Sequence, residues 1–223
     1  MKVVVAVFPG TNCETDTKYA FEKIGCTVEL LFHKIDTLPS DTDLVVLPGG
    51  FSYGDYLRSA AIAKFSPIMH AVIKYANAGG QVLGICNGFQ MLLEANLLPG
   101  AMKRNQKTHF VSKYQYLKVV NNNNSLLKKL DIGEIINIPI AHGEGNYFID
   151  EDKIKGLYDN EQVLLEYCDR AGNKENPNGS VNEIAGLCNK NKNVFGLMPH
   201  PERAIEDILG SSDGAKMLEG FLK

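Results

Sequence analysis

Three residues of this 223-residue chain have the types and settings that covalent catalysis requires: Cys86, His200 and Glu202. A cysteine nucleophile needs a base within hydrogen-bond reach, and that base needs a group to orient it. His200 and Glu202 are two residues apart, a spacing at which side chains of extended backbone point the same way. A carboxylate beside an imidazole holds one tautomer and stabilises its cation. The pattern predicts a Cys-His-Glu triad.

Cys86 lies at the centre of the segment Gly84–Gly88, a G-x-C-x-G sequence at the junction of a predicted strand and a predicted helix. This is the pattern of a nucleophile elbow with Cys in place of Ser. The sharp turn requires small neighbours, and the helix N-terminus favours negative charge on the sulfur. Taken alone, the pattern fits a buried structural thiol equally well. His200 and Glu202 favour the nucleophile. The remaining cysteines are interpreted as buried apolar residues: Cys13, Cys26, Cys168 and Cys188.

A glycine pair follows another predicted strand, in the segment Pro48–Gly50. Hydrolysis of an amide builds an oxyanion, which needs preorganised N–H donors. A Gly-Gly turn at a neighbouring strand end can supply one donor, and the N–H of Asn87 can supply another. Gly-Gly is also typical of an ordinary turn, so this interpretation depends on Cys86.

Strands and helices alternate through the first half of the chain. Apolar, β-branched runs predict strands, and capping signals predict helices that start near Cys13, at Pro67 after Ser66, and at Gly88. This alternation predicts an α/β fold with a mainly parallel sheet. The predicted strands of this half are Val3–Phe8, Thr27–Phe32, Leu44–Leu47 and Gln81–Ile85.

The second half is richer in strands, which predicts antiparallel additions to the sheet. A last helix is expected from about Asp213 to Leu222, and two polar stretches, Asn121–Asn124 and Arg170–Ser180, are interpreted as a turn and a surface loop. Neither resembles a linker, so residues 1–223 are predicted to form one domain. The additional strands are Tyr116–Val120, Ile135–Ile140, Asn146–Ile149, Val163–Tyr167, Glu183–Leu187 and Val194–Met198.

The composition of the chain argues against some classes of binding partner. Net charge is −3 and no basic block occurs, which argues against nucleic acid and anionic membranes. The apolar run Val3–Phe8 is short for a signal peptide and is better interpreted as a buried strand. The five cysteines form no C-x-x-C pair, so neither a disulfide framework nor a metal site is predicted, and a reducing cytoplasm is expected.

The motifs together resemble the class I, or triad, glutamine amidotransferases. The segments Gly84–Gln90 and Pro199–Glu202 carry that resemblance. Further segments are similar to the family of glutaminase subunits of phosphoribosylformylglycinamidine synthase, and the match runs from the first strand to the last helix. These segments are Gly10–Glu14, Pro48–Tyr56, Pro139–Gly145, Asn176–Ser180 and Met198–Arg203.

The resemblance implies a flavodoxin-like core and hydrolysis of L-glutamine through a thioester on Cys86, with His200 and Glu202 completing the triad. It implies that Gln90 helps to bind substrate and that the Gly49–Gly50 turn and Asn87 supply the oxyanion site. Ammonia would pass to a large synthetase subunit, which converts formylglycinamide ribonucleotide to the amidine with ATP and Mg²⁺ in purine biosynthesis. A small third subunit is expected to complete the complex.

This chain lacks a G-x-x-x-x-G-K-[ST] phosphate loop, so no cofactor is expected on it and a partner must use the ammonia. Two segments mix aromatic and charged residues with glycines: Phe51–Arg58 and His142–Tyr147. They fit ordinary surface loops. As a hypothesis, they line the interface with the partner and gate the active site. His142 is a weaker candidate for the base, because Glu144 is flanked by flexible glycines. The alternative class is that of DJ-1-like proteins and intracellular peptidases with a similar elbow, which would not need Gln90 or the Pro-His-Pro-Glu segment.

Overall fold

The computed structural model describes residues 1–222, and its centre is a sheet of nine strands in the order β2-β1-β3-β4-β11-β10-β9-β6-β7. A separate ribbon pairs β5 with β8. The strands are β1 (Lys2–Val7), β2 (Thr27–Phe32), β3 (Leu44–Leu47), β4 (Gln81–Ile85), β5 (Ala101–Lys103), β6 (Val111–Val119), β7 (Ile135–His142), β8 (Asn146–Phe148), β9 (Val163–Cys168), β10 (Ile184–Cys188) and β11 (Val194–Leu197). The helices are α1 (Glu14–Lys23), α2 (Pro67–Asn77), α3 (Asn87–Glu94), α4 (Glu151–Asp159) and α5 (Asp213–Leu218).

Five neighbouring strands are parallel: β2, β1, β3, β4 and β11. Their sequences are β-branched and almost continuously apolar, and β3, β4 and β11 are buried along nearly their whole length. Such runs form strands that are covered on both faces of a sheet, here with α1, α2 and α3 packed against them. The predicted α/β fold with a mainly parallel sheet is confirmed.

The remaining four strands, β10, β9, β6 and β7, are antiparallel to their neighbours. The prediction of antiparallel additions in the second half is therefore confirmed. In β7 buried and half-buried residues alternate along the strand, as expected for a sheet with unequal cover on its two faces.

Several local expectations were wrong. Helix α4 and strand β5 were not predicted, and β6 begins at Val111 rather than Tyr116. The expected capping box does not form, because Thr11 Oγ1 accepts a hydrogen bond from the Phe8 N–H (3.0 Å) instead. Ser66 does precede α2, with Pro67 as its first residue, but its hydroxyl bonds Tyr53. The last helix begins at Asp213 as predicted; α5 ends at Leu218 and continues as one 3₁₀ turn to Phe221. Among residues 1–222, no helix has the length and apolarity needed to cross a bilayer.

Candidate active site

Two adjacent parallel strands position the predicted nucleophile and base. Strand β4 leads directly to Cys86, and β11 leads to His200 through Met198-Pro199. The strands pair in register, with Ile85 opposite Leu197, and the Cys86 N–H donates to the Leu197 carbonyl (2.8 Å). Because parallel strands end at the same edge of a sheet, residues 114 positions apart meet there.

Cys86 has the strained backbone that a nucleophile elbow requires. Its φ is 51° and its ψ is −105°, a conformation that non-glycine residues rarely adopt. A Cβ at Gly84 would lie 2.6 Å from the Gly88 carbonyl, and a Cβ at Gly88 would collide with the Leu47 carbonyl. Both glycines are therefore required by close backbone approach, as the sequence predicts, and Cys86 lies at the N-terminus of α3.

His200 is held by a carboxylate, as predicted. Its Nδ1 lies 2.7 Å from Glu202 Oε1, and both side chains are buried. The His200 N–H donates to the Pro139 carbonyl (2.8 Å), which ties this turn to β7. Burial lowers the pKa of His200, but Glu202 and the neighbouring thiols of Cys86 and Cys13 oppose it and hold the pKa well above its usual range. The imidazole Nε2 is buried without a hydrogen-bond partner within residues 1–222.

The Gly49–Gly50 turn lies beside both residues. The Gly49 carbonyl accepts hydrogen bonds from the N–H groups of Asn12 (3.4 Å) and Cys13 (3.3 Å), which fixes the peptide plane. In a trans peptide the next N–H points the opposite way, so the Gly50 N–H is directed away from this loop. Gly50 and Cys86 line the same pocket.

The side chains of Asn87 and Gln90, both in α3, form hydrogen bonds with the surrounding loops. Asn87 Oδ1 accepts from the Ser52 N–H (3.0 Å), and its Nδ2 donates to Gln90 Oε1 (2.9 Å). Gln90 Nε2 in turn donates to the Glu144 carbonyl (2.6 Å). The chain of bonds connects Ser52, just after the glycine turn, with helix α3 and with the segment after β7, so these three elements around Cys86 are tied together.

A pocket of about 330 Å³ opens beside Cys86. Both segments that the sequence singled out contribute to its lining, Phe51 and Asp55 from one and His142 and Glu144 from the other. Ser59, the residue after the first segment, donates from Oγ to Glu144 Oε2 (2.7 Å). Burial and the nearby Glu144 raise the pKa of Asp55 to about 6. The lining residues include Gly50, Phe51, Asp55, Ser59, Cys86, Gln90, Arg104, Phe110, His142 and Glu144.

His142 lies in the pocket wall, and among residues 1–222 its ring has no carboxylate partner. Its Nδ1 is 3.2 Å from Asn105 Oδ1 and its Nε2 is 3.5 Å from Asn178 Nδ2. Burial, with a smaller effect of His200, lowers the pKa of His142 to about 4. Asn178 is buried, although the sequence assigned its segment to a surface loop.

Cys13 was interpreted from the sequence only as a buried apolar residue, and the structure places it beside the base. Its Sγ accepts from Arg203 Nη2 (3.1 Å) and lies 3.1 Å from Asn12 Oδ1. Burial raises the pKa of the Cys13 thiol, and His200 offsets only part of that rise. Its position at a helix start, 187 residues before His200, carries no signal of this contact.

The family model of the CobB/CobQ-like glutamine amidotransferase domain matches residues 1–217. The chain therefore belongs to the glutamine amidotransferase family. Its fold, with a cysteine elbow and a His-Glu pair just after the ends of two neighbouring parallel strands, is that of the triad enzymes of this class.

Similar proteins have names more specific than that of the family. The phosphoribosylformylglycinamidine synthase subunit PurQ of Sulfurimonas denitrificans is 66% identical over 223 residues, covering 100% of both chains. The protein of the same name from Campylobacter jejuni is 58% identical, covering 100% of this chain and 96% of that one. A chain in the structure of PurLQS from Thermotoga maritima is 41% identical with a TM-score of 0.89, covering 99% of this chain and 97% of that one.

Proposed function

We propose that Cys86, His200 and Glu202 hydrolyse the side-chain amide of L-glutamine in the pocket beside Cys86. The chain has the function that its relatives' name indicates, the glutaminase subunit of phosphoribosylformylglycinamidine synthase. The observation that carries the residue assignment is the meeting of Cys86 and His200 at adjacent strand ends, with Glu202 on the far nitrogen of the imidazole (2.7 Å).

Each residue has a distinct role in the proposed reaction. His200 Nε2 takes the thiol proton while Cys86 Sγ attacks the amide carbon, and the Gly50 and Asn87 N–H groups bind the oxyanion. The C–N bond then breaks, His200 returns the proton to the leaving nitrogen, and ammonia departs from a glutamyl thioester. Water, activated by the same imidazole, hydrolyses the thioester to glutamate.

Glu202 orients His200 and stabilises its cation in both steps. Gln90 lines the pocket next to Cys86 and is the proposed contact for the substrate. Gly49 is required beneath the imidazole, because a Cβ there would lie 2.8 Å from His200 Cε1.

The ammonia is proposed to leave for a synthetase subunit, which uses it with ATP and Mg²⁺ to convert formylglycinamide ribonucleotide to the amidine, in a complex with a small third subunit. The solved PurLQS assembly, in which a similar chain occurs, supports a complex of this kind. The segments Phe51–Arg58 and His142–Tyr147 both line the pocket and are the proposed contact surface and gate. The five free thiols fit the expected cytoplasmic location.

The test is Cys86→Ala in the reconstituted complex. Glutamine-dependent amidine formation is expected to fall about 10⁴-fold or more, since a triad loses most of its rate with its nucleophile. Ammonia-dependent formation is expected to persist, because the synthetase chemistry lies on another chain. Both rates are measured by amidine production.

The matched control is Cys168→Ala, which removes a buried thiol from β9. This variant is expected to keep both rates, and mass spectrometry should locate the glutamyl adduct on Cys86 alone. Loss of both activities in Cys86→Ala, or survival of both, would contradict the assignment.

A further inference from the structure

The two charged groups of L-glutamine lie on its α-carbon, and the proposed reaction assigns no residue to them. The uncharged side-chain amide goes to Cys86, whereas the α-ammonium and the α-carboxylate need partners of opposite charge when they leave water. Gln90, the proposed substrate contact, is itself an uncharged amide, and it already bonds Asn87 (2.9 Å) and the Glu144 carbonyl (2.6 Å). Other residues of the pocket must therefore bind the two charges.

Two carboxylates line the pocket beside Cys86, from Asp55 and Glu144. Both adjoin the hydroxyl of Ser59, which has a single proton and donates it to Glu144 Oε2 (2.7 Å). Asp55 Oδ1 is buried without a hydrogen-bond partner among residues 1–222. Buried carboxylate oxygens are normally hydrogen-bonded, so this atom points to a ligand that brings an N–H donor.

The charges of these carboxylates favour a cation. Burial and the nearby Glu144 raise the pKa of Asp55 to about 6, as happens to an acid whose negative charge has no compensating positive charge. An ammonium group carries one positive charge and three N–H donors, so it can satisfy both carboxylates at once. The α-ammonium of glutamine is the group of the substrate that fits beside Asp55 and Glu144.

The backbone around Asp55 is held in an unusual conformation. Positive φ angles occur at Tyr53 (54°), Asp55 (52°) and Leu57 (73°), in a region where side chains other than glycine are strained. The Tyr53 hydroxyl is fixed by His33 Nδ1 (2.8 Å) and Ser66 Oγ (2.8 Å). Such strain clusters at ligand-binding sites, which supports a role for the Asp55 side chain in binding.

The same pocket also has a cation. Arg104 is the only arginine or lysine among the described residues that line it, and its Nε lies 3.6 Å from Glu144 Oε1. The Arg104 side chain is 80% exposed, so most of its N–H donors face solvent. A guanidinium binds a carboxylate through two parallel hydrogen bonds, which suits Arg104 to the α-carboxylate of the substrate.

We propose that Asp55 and Glu144 bind the α-ammonium of L-glutamine and that Arg104 binds its α-carboxylate, with the side-chain amide at Cys86. This assignment rests on the proposed function, because it names the residues that select that substrate. The three residues act in binding and selectivity, and they take no part in the bond-making steps. Amides that lack either charged group are expected to bind weakly.

The test measures binding by calorimetry to the reconstituted complex with Cys86→Ala, which removes the nucleophile and keeps the pocket. The ligands are L-glutamine, glutaramate, which lacks the α-amino group, and 4-aminobutanamide, which lacks the α-carboxylate. Adding Asp55→Asn is expected to weaken L-glutamine binding about 10–100-fold, as loss of a charge-assisted hydrogen bond does, and to leave glutaramate unchanged. The control is Asp36→Asn, at an exposed position outside the pocket, which should change none of the affinities.

Two further variants examine the rest of the site. Glu144→Gln is expected to show the same pattern as Asp55→Asn, whereas Arg104→Met is expected to weaken L-glutamine and glutaramate and to spare 4-aminobutanamide. Equal weakening of L-glutamine and glutaramate by Asp55→Asn would indicate a merely structural role and overturn the proposal, and so would unchanged binding of L-glutamine. Thermal melting of each variant separates a lost contact from a lost fold.

Kinetics of the active complex give a second readout. Asp55→Asn is expected to raise KM for glutamine and to leave kcat nearly unchanged, as loss of uniform binding does. A lower kcat with unchanged KM would contradict the binding role. If Cys86→Ala kept glutamine-dependent amidine formation, the proposed function would fail. If Cys86→Ala lost it but Asp55→Asn did not distinguish L-glutamine from glutaramate, only the role of Asp55 would fail.

Discussion

Two buried histidines lie near Cys86, and their polar neighbours differ. His200 and His142 are 2% and 3% exposed, so both lose nearly all contact with water. His200 has a carboxylate at 2.7 Å, whereas His142 has only amide groups, from Asn105 and Asn178. The pKa of His200 lies well above its usual range, and the pKa of His142 falls to about 4.

Burial alone disfavours the charged form of an imidazole, and a neighbouring carboxylate reverses that effect. His200 can therefore accept and hold a proton near neutral pH, which a base must do. His142 stays neutral and joins the hydrogen bonds that shape the pocket wall. Since both rings are buried, the polar partners of each ring, and not its burial, decide which histidine suits the proposed role of base.

The largest expected effect comes from exchanging each histidine for glutamine. His200→Gln is expected to lower the glutaminase kcat about 10²–10⁴-fold, because the proposed base is lost. His142→Gln is expected to change it by less than about tenfold, since an amide can replace a neutral ring in a polar wall. Steady-state glutamate release in the reconstituted complex measures both, and a larger loss in His142→Gln would reverse the comparison.

Glu202→Gln removes the carboxylate charge beside His200 and keeps the size and shape of the side chain. The pKa of His200 is expected to fall, and kcat/KM for glutamine to drop about 10²–10⁴-fold. The raised pKa of His200 contributes stability that is fully present below the unfolded value and is lost as pH rises through the folded one. The variant should therefore be most destabilised below about pH 6.5. NMR titration of the His200 ring and denaturation at several pH values test this, and an unchanged ring pKa would refute it.

Gly49→Ala tests how closely the base must be placed. The added methyl group would lie 2.8 Å from His200 Cε1 and 3.0 Å from Cys13 Sγ, so the imidazole must shift. A displacement of about 1 Å can reduce a rate about 10²-fold, and a loss of that order in kcat is expected. The matched control is Gly156→Ala, which meets nothing within 4 Å in α4 and should add about 0.5–1 kcal/mol of stability. Wild-type kcat in Gly49→Ala would show that the base tolerates movement.

The smallest of these effects is a change in stability at Asp55, where a carboxylate faces another carboxylate. Burial and Glu144 raise the pKa of Asp55 to about 6, so the folded chain binds this proton more tightly than the unfolded chain. Stability should fall as pH rises from about 4 to 6, by on the order of 1 kcal/mol after allowance for partial exposure. Asp55→Asn should lack this decrease. Denaturation curves at about pH 4.5 and about pH 7 measure it, and equal pH dependence in both proteins would argue against the shift.

Local patterns predicted much of this molecule. The strands of the parallel half have continuous β-branched runs, and Gly84 and Gly88 identify the elbow because the backbone approaches too closely for any side chain. His200 and Glu202 are neighbours in sequence, so their contact could be foreseen from spacing.

Features that depend on tertiary structure were missed. Helix α4 has Gly156 in its interior and buries only Leu157, so its apolar face is too weak to recognise. The first residues of β6 are mostly exposed, and only pairing with β7 makes them a strand. Asn178 lies in a segment with the composition of a loop, but its side-chain amide is buried and donates hydrogen bonds to the Gly145 carbonyl and the Tyr167 hydroxyl. Cys13 reaches His200 only because β1, β3 and β11 end at the same edge of the sheet.

Strand β11 lies between β4 and β10, near the middle of the sheet, although it is one of the last elements of the chain. During synthesis the cysteine emerges long before this strand does. A nascent or truncated chain that stops before residue 194 lacks both β11, which joins the two parts of the sheet, and His200, the proposed base, so we expect it to leave glutamine unhydrolysed. Catalytic competence is thus a late event in the assembly of this protein, reached only when its two halves are joined.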